Sequence, residues 1–209
     1  KKIVLIGHSK GSAESLYTAV GNPDFFDANV RALILIQGAM KGSPLGEELA
    51  GSNMELEQSA SGDKIRQGVF NTTKMVSQFA LIPLIEKGLN SIRTDQSLDR
   101  WEKLRKESPE SIDRLKDKVF YIRSHKKLEE MTEVLQVTGY WLDLHFGKSD
   151  GMMLTTDQRL DEIGRDLLVV SGADHADLTV TRPISKLPRE WRFATTGLIV
   201  RELYRDARK

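Results

Sequence analysis

Residues 1–16 read KKIVLIGHSKGSAESL. A β-branched run ending at Gly7 leads into Gly7-His8-Ser9-Lys10-Gly11, and a helix-like stretch over 11–21 follows, with the small residues Gly11, Ser12 and Ala13 at its start. The five-letter pattern G-x-S-x-G is weak alone, since a chain of this composition holds it by chance about one time in ten. Context raises its meaning. A nucleophilic serine of this kind needs a strand directly before it and a helix directly after, because it sits on a tight, strained strand-to-helix turn that exposes its hydroxyl. Strand, turn and helix are all present, so Ser9 reads as a nucleophile. Gly7 and Gly11 are expected to be glycines because side chains there would collide where the helix packs back on the strand.

Working outward, Gly21-Asn22-Pro23 stops the helix. VRALILIQG at 30–38 is an apolar run of strand length whose near-continuous hydrophobicity suits a parallel strand buried on both faces. Strand, helix and strand within about 35 residues make a βαβ unit. Residues 43–117 break this rhythm. They carry a helical pattern over 64–92, which Pro83 should kink or end, and then a strongly charged stretch at 97–117. The sheet resumes with KVFYIRS at 118–124 and DLLVVSG at 166–172. Roughly over 189–206, Trp191, Phe193, Leu198, Ile199 and Leu203 stand among charged residues, as in a packed terminal helix. The expected fold class is α/β, a mostly parallel sheet flanked by helices. Residues 1–42 and 118–209 form its core, and 43–117 are a helical insertion.

Bulk properties narrow the function classes. The 209 residues contain 31 Lys plus Arg against 30 Asp plus Glu, a balance that argues against nucleic acid as a partner and offers no polybasic membrane anchor. There is no cysteine, which excludes disulfides, thiolate nucleophiles and zinc-thiolate sites. No apolar run reaches the ~18–20 residues that a membrane-spanning helix needs.

A serine hydroxyl is a poor nucleophile near neutral pH and needs a base within hydrogen-bond reach. That base in turn needs a third group to hold its tautomer and stabilise its charged form. His175 lies three residues beyond Gly172, in the loop after the last strand, and is the candidate base. His8 is expected chiefly to pack beside its strand. His125 follows a strand directly, and His145 reads as a packing or surface residue. For the acid, Asp150 in GKSDGMM sits on the approach to the last strand, with Asp143 and Asp157 as alternatives. Asp174 and Asp177 flank the histidine too closely to lie in line with its ring. Asp150-Gly151 is also a common turn pair, so a purely structural role stands beside the functional one.

Taken in order, GHSKG after a strand, VRALILIQGAMKGSPLGE, SDGMM and ADHADL resemble the second half of an α/β-hydrolase-fold lipase or esterase. The resemblance runs from Lys2 to about Leu178, and the order and spacing of the motifs make it specific. It implies Ser9, Asp150 and His175 as catalytic triad, with Gly42-Ser43-Pro44 following the strand after the nucleophile. It implies the Lys10 backbone N–H as one donor of the oxyanion hole, and 43–117 as a cap or lid. His8, Met40 and Met152 are candidate substrate contacts. No metal or cofactor is called for. The family places strands, and a second oxyanion donor, before the nucleophile, so the chain is expected to be a C-terminal portion whose partner is the missing N-terminal half. The expected activity is hydrolysis of a small-molecule or lipid ester through an acyl-enzyme. The alternatives are an acyltransferase of the same fold and a non-catalytic lipid- or partner-binding protein.

Overall fold

The computed structural model describes residues 2–48 and 90–179, and beyond them residues 197, 199 and 201. Four strands, β1 (Ile3–His8), β2 (Val30–Ile36), β3 (Val119–His125) and β4 (Arg165–Ser171), form one sheet in that order. Every neighbouring pair is parallel. The registers Leu5↔Leu33↔Val119 and Ile6↔Ile34↔Phe120 carry alternate rows of side chains to opposite faces.

The helices are α1 (Lys10–Gly21), α2 (Pro23–Asn29), α3 (Thr94–Glu107), α4 (Pro109–Leu115) and α5 (Glu133–His145), with a 3-10 turn at Leu128–Glu130. Two of them start on a proline whose missing N–H costs a helix nothing in its first turn. This explains a difference from the sequence reading. Gly21-Asn22-Pro23 does stop α1, but Asn22 is both the last cap of α1 and the first of α2, so one helix ends where another begins. The charged stretch at 97–117 is likewise two helices, divided at Ser108-Pro109.

Both faces of the sheet are covered. Leu33 and Leu35 of β2 and Val119 and Tyr121 of β3 pack against Leu16 and Ala19 of α1, Trp101 of α3, and Ile112 and Leu115 of α4. On the other face Ala32, Ile34 and Ile36, with Phe120, Ile122 and Val170, pack with Ile199. The apolar continuity of β2 follows directly, since a strand buried on both faces has no polar side to show.

Within the segment expected as a cap, α3 and α4 therefore lie on the sheet's α1 face, while residues 49–89, including Pro83, lie outside the described residues. Trp191, Phe193, Leu198 and Leu203 lie outside them too, and Ile199 is buried. Among the described residues no helix is long and apolar enough to cross a membrane.

Candidate active site

The turn after β1 is tight for a measurable reason. A Cβ on Gly7 would lie 2.8 Å from both the Gly11 carbonyl oxygen and the Ser12 Cα, closer than carbon can approach. One on Gly11 would meet nothing within 4 Å among the described residues, so the collision expected at both glycines occurs only at Gly7. α1 packs back at the level of Gly7, whereas Gly11 is already inside the helix and faces outward.

Ser9 itself takes φ 55°, ψ −129°, a conformation that residues with a Cβ rarely adopt. Hydrogen bonds on both sides impose it. The Ser9 N–H donates to the Ile36 carbonyl (3.0 Å), and the Ser9 carbonyl accepts from Ser12 N–H (3.0 Å) and Ala39 N–H (3.1 Å). The Ser9 turn is thus pinned to the end of β2. Such strain is characteristic of functional turns.

Asp150 reaches the same rim by a detour. After β3 the chain runs through α5 and returns beside the strand end, where Lys126 N–H donates to the Ser149 carbonyl (3.1 Å). Gly151, at φ 93°, lets the chain turn at once, so that the Asp150 Oδ1 accepts from Met152 N–H (3.0 Å) and Met153 N–H (2.8 Å). The Oδ2 accepts from Gln158 Nε2 (3.2 Å) and lies 2.9 Å from His175 Nδ1. Asp150 is fully buried, so an ionised carboxylate needs these donors.

His175 completes the line. Its Nδ1 faces the Asp150 carboxylate, and its Nε2 lies 2.9 Å from the Ser9 Oγ. An ionised carboxylate can only accept, so the ring proton sits on Nδ1 and Nε2 is left to accept the serine O–H. The backbone repeats the pairing, with His175 N–H donating to the Asp150 carbonyl (2.8 Å). Ser9, Asp150 and His175, separated by up to 166 positions, thus meet within hydrogen-bond reach.

The other candidates divide. Lys10, the first residue of α1, presents a backbone N–H that has no intrahelical acceptor, while its side chain pairs with Glu14 in solvent (3.0 Å). His8 is half-buried against His175, with ring centroids 4.8 Å apart. Its Nε2 faces the carbonyl oxygens of His175 (3.2 Å) and the Gln37 side chain (3.3 Å), which places its proton on Nε2. Burial, and then the nearby His175, push the His8 ring down to about 4.

Met40, expected against substrate, is fully buried in the core cluster with Leu16 and Leu33, because the chain after Gly38 turns its side chain beneath the sheet's α1 face. Met152 is partly buried beside Leu154 and Met153. Asp143 accepts from Ser149 Oγ (3.0 Å) and Asp157 from Thr156 Oγ1 (3.1 Å), so neither alternative acid takes the histidine. His125 ends β3, where its carbonyl accepts from Gly172 N–H (2.8 Å). His145 packs on Trp141 and Phe146.

Several supporting roles escaped the sequence reading, even where the residues, Asp174, Asp177 and Ser43, had been noticed. Gln158 brackets β3 at Ser124, accepting from its N–H (2.7 Å) and donating to its carbonyl (2.9 Å), and so ties Asp150 to the sheet. Asp174 and Asp177, fully buried around His175, share the ammonium of buried Lys126 (3.4 and 2.6 Å). Thr132 also donates to Asp174 through its N–H and its hydroxyl, each at 2.8 Å. Ser43, in the Gly-Ser-Pro motif, donates to the Met152 carbonyl (2.7 Å), joining the segment after β2 to the acid loop. Polar residues scattered through loops carry no periodic signal. Gln37 offered one signal that the reading passed over, a polar side chain closing an apolar strand.

No family model matches the chain, and no curated protein matches it. Solved structures do. A metagenomic carboxyl esterase aligns over 99% of this chain and 57% of its own, at 20% identity and a TM-score of 0.68. The mature form of the Bacillus licheniformis lipase BlEst2 aligns over 84% of this chain and 59% of its own, at 18% identity and a TM-score of 0.54. The chain thus spans somewhat under three-fifths of the length of either protein. The order of the parallel strands, the helices packed against the sheet and these likenesses together establish an α/β-hydrolase-like fold.

Proposed function

We propose that the protein is a serine hydrolase that cleaves a carboxylic ester. One observation carries this reading: an unbroken hydrogen-bonded line from the Ser9 hydroxyl through the His175 ring to the Asp150 carboxylate, 2.9 Å at each step. The Ser9 Oγ attacks the acyl carbonyl while His175 Nε2 takes its proton, and Asp150 stabilises the resulting imidazolium. The negative oxygen that develops is met by the Lys10 N–H, aided by the positive end of α1. The tetrahedral species collapses, His175 returns the proton to the departing alcohol, and Ser9 is left acylated. Water then repeats the sequence and releases the acid. The 2.9 Å Ser9–His175 separation also counts against a non-catalytic binding protein, in which the two groups need not touch. The preference for esters is supported by the likeness to a carboxyl esterase and a lipase.

Two further readings belong here. α3 and α4 serve the sheet domain, so the cap is proposed for the part of 43–117 that precedes them. Ile3, Val4 and Ile6 of β1 are 54%, 38% and 54% exposed, which supports pairing of β1 with further strands of the full-length protein. A second oxyanion donor would come from that side.

The test is a fluorophosphonate probe together with a short p-nitrophenyl ester. The full-length protein should be labelled and should turn the ester over, and Ser9→Ala should abolish both. Labelling that persists in Ser9→Ala removes the assignment.

A further inference from the structure

Gln37 keeps a conformation that its own backbone disfavours. Its φ of 48° lies in the left-handed region, where glycine would be at ease, yet the residue carries a long side chain that is fully buried. Its backbone remains part of the sheet, with its N–H donating to the Ile122 carbonyl (2.8 Å). The turn at Gln37 is thus set just beyond β2, and it aims the side chain across the strand ends.

The amide of that side chain is used at both ends. Nε2 donates to the Ser124 hydroxyl at the end of β3 (2.6 Å) and to the Asp174 carbonyl in the histidine loop (2.7 Å). Oε1 accepts from the His8 ring (3.3 Å), whose Nε2 also faces the His175 carbonyl (3.2 Å). One buried amide therefore links the residue before Ser9, the strand before the acid loop, and the residue before His175. No other described side chain is hydrogen-bonded to all three.

We propose that Gln37 is a positioning residue that, through its amide, sets the histidine loop so that His175 comes within reach of Ser9. This rests on the catalytic reading given above. A reacting pair misplaced by about 1 Å can lose on the order of 100-fold in rate, so the bonds that tie the histidine loop to the nucleophile strand are where such precision must be supplied. The mechanism distinguishes hydrogen bonding from space filling. Gln37→Met keeps the volume and loses every side-chain hydrogen bond, and Gln37→Gly loses both while relieving the backbone.

The experiment measures kcat and KM for a p-nitrophenyl ester, the rate of fluorophosphonate labelling, and thermal unfolding, all on the full chain. Both Gln37 variants should lower kcat and the labelling rate about 10- to 100-fold with KM nearly unchanged. Gln37→Gly also empties a buried site and should melt lower, so the deciding split is a reduced kcat and labelling rate at unchanged KM in a variant that melts like the wild type, which a merely structural role does not produce. Ser124→Ala, which removes one acceptor with little change of packing, should lower kcat about 3- to 10-fold, and decides the question if both Gln37 variants fail to fold. Wild-type kcat and labelling in a folded Gln37→Met, or in Ser124→Ala when it must decide, overturn the proposal. Labelling that survives in Ser9→Ala would instead sink the catalytic reading itself, so the two failures are separable.

Discussion

His8 shows how a residue beside the proposed nucleophile, Ser9, can be useful by staying neutral. With its proton on Nε2 it donates to two carbonyl oxygens at the base of the histidine loop. A second positive ring 4.8 Å from His175 would oppose the imidazolium of the proposed mechanism. Burial and His175 hold the His8 value near 4, against 6.5 for a free imidazole. Between those values the unfolded chain binds a proton that the folded chain does not. Stability is therefore greatest above pH 6.5, declines as pH falls toward 4, and loses nothing further from this group below that. In urea unfolding the wild type should lose on the order of 2 kcal/mol over the window through His8, the exposed part of the ring being screened by water. His8→Gln should lack that contribution. An identical pH dependence in both would show that His8 is not held neutral.

The element that decides the site is the strand–turn–helix of β1, Ser9 and α1, and its two glycines are not equivalent. At Gly7 a methyl group would press on backbone atoms of α1 at 2.8 Å, and backbone cannot swing aside as a flexible side chain can. Gly7→Ala should cost about 1–3 kcal/mol and displace Ser9. Gly11 lies within α1 and its missing Cβ faces open space, so Gly11→Ala should raise stability by about 0.4–1 kcal/mol, through a stiffer unfolded chain and better helix propensity. Thermal melts of the two variants, beside their labelling rates, check both. A destabilised Gly11→Ala would mean that the second glycine of the motif has a structural duty that the packing around it does not reveal.

For the molecule as a whole, β1 and β4 are the two edges of the described sheet, and β1 is the edge that bears exposed isoleucines. β2, inside the sheet, is buried along nearly its whole length, whereas β1 leaves Ile3, Val4 and Ile6 in contact with water. An uncovered apolar strand is a template for pairing. The 209-residue chain made alone should therefore self-associate, and Ile3→Lys with Ile6→Lys should reduce this, as light scattering at micromolar concentration would show. A stable monomer would mean that β1 needs no further strand. At this scale the fold was legible early. The apolar runs at 3–7, 30–38, 118–124 and 166–172 coincide with the four strands to within two residues, because buried parallel strands leave a strong mark in composition. α2 and α5 left weaker marks: α2 is only seven residues long and follows a helix stop, and α5 mixes apolar and polar positions without a clean stripe.

The chain's own letters were enough to single out Ser9, Asp150 and His175 as candidates, because each falls at a turn whose place relative to a strand can be read locally. They could not bring the three within 2.9 Å of one another, nor reveal that Gln158, Lys126 and Gln37 hold them there. Those contacts join positions as far apart as 166 residues, and a hydrogen bond depends on where two atoms stand rather than on where they occur along the chain. Periodicity records which face of an element is buried; the partner a polar group finds there is chosen only when the elements have packed.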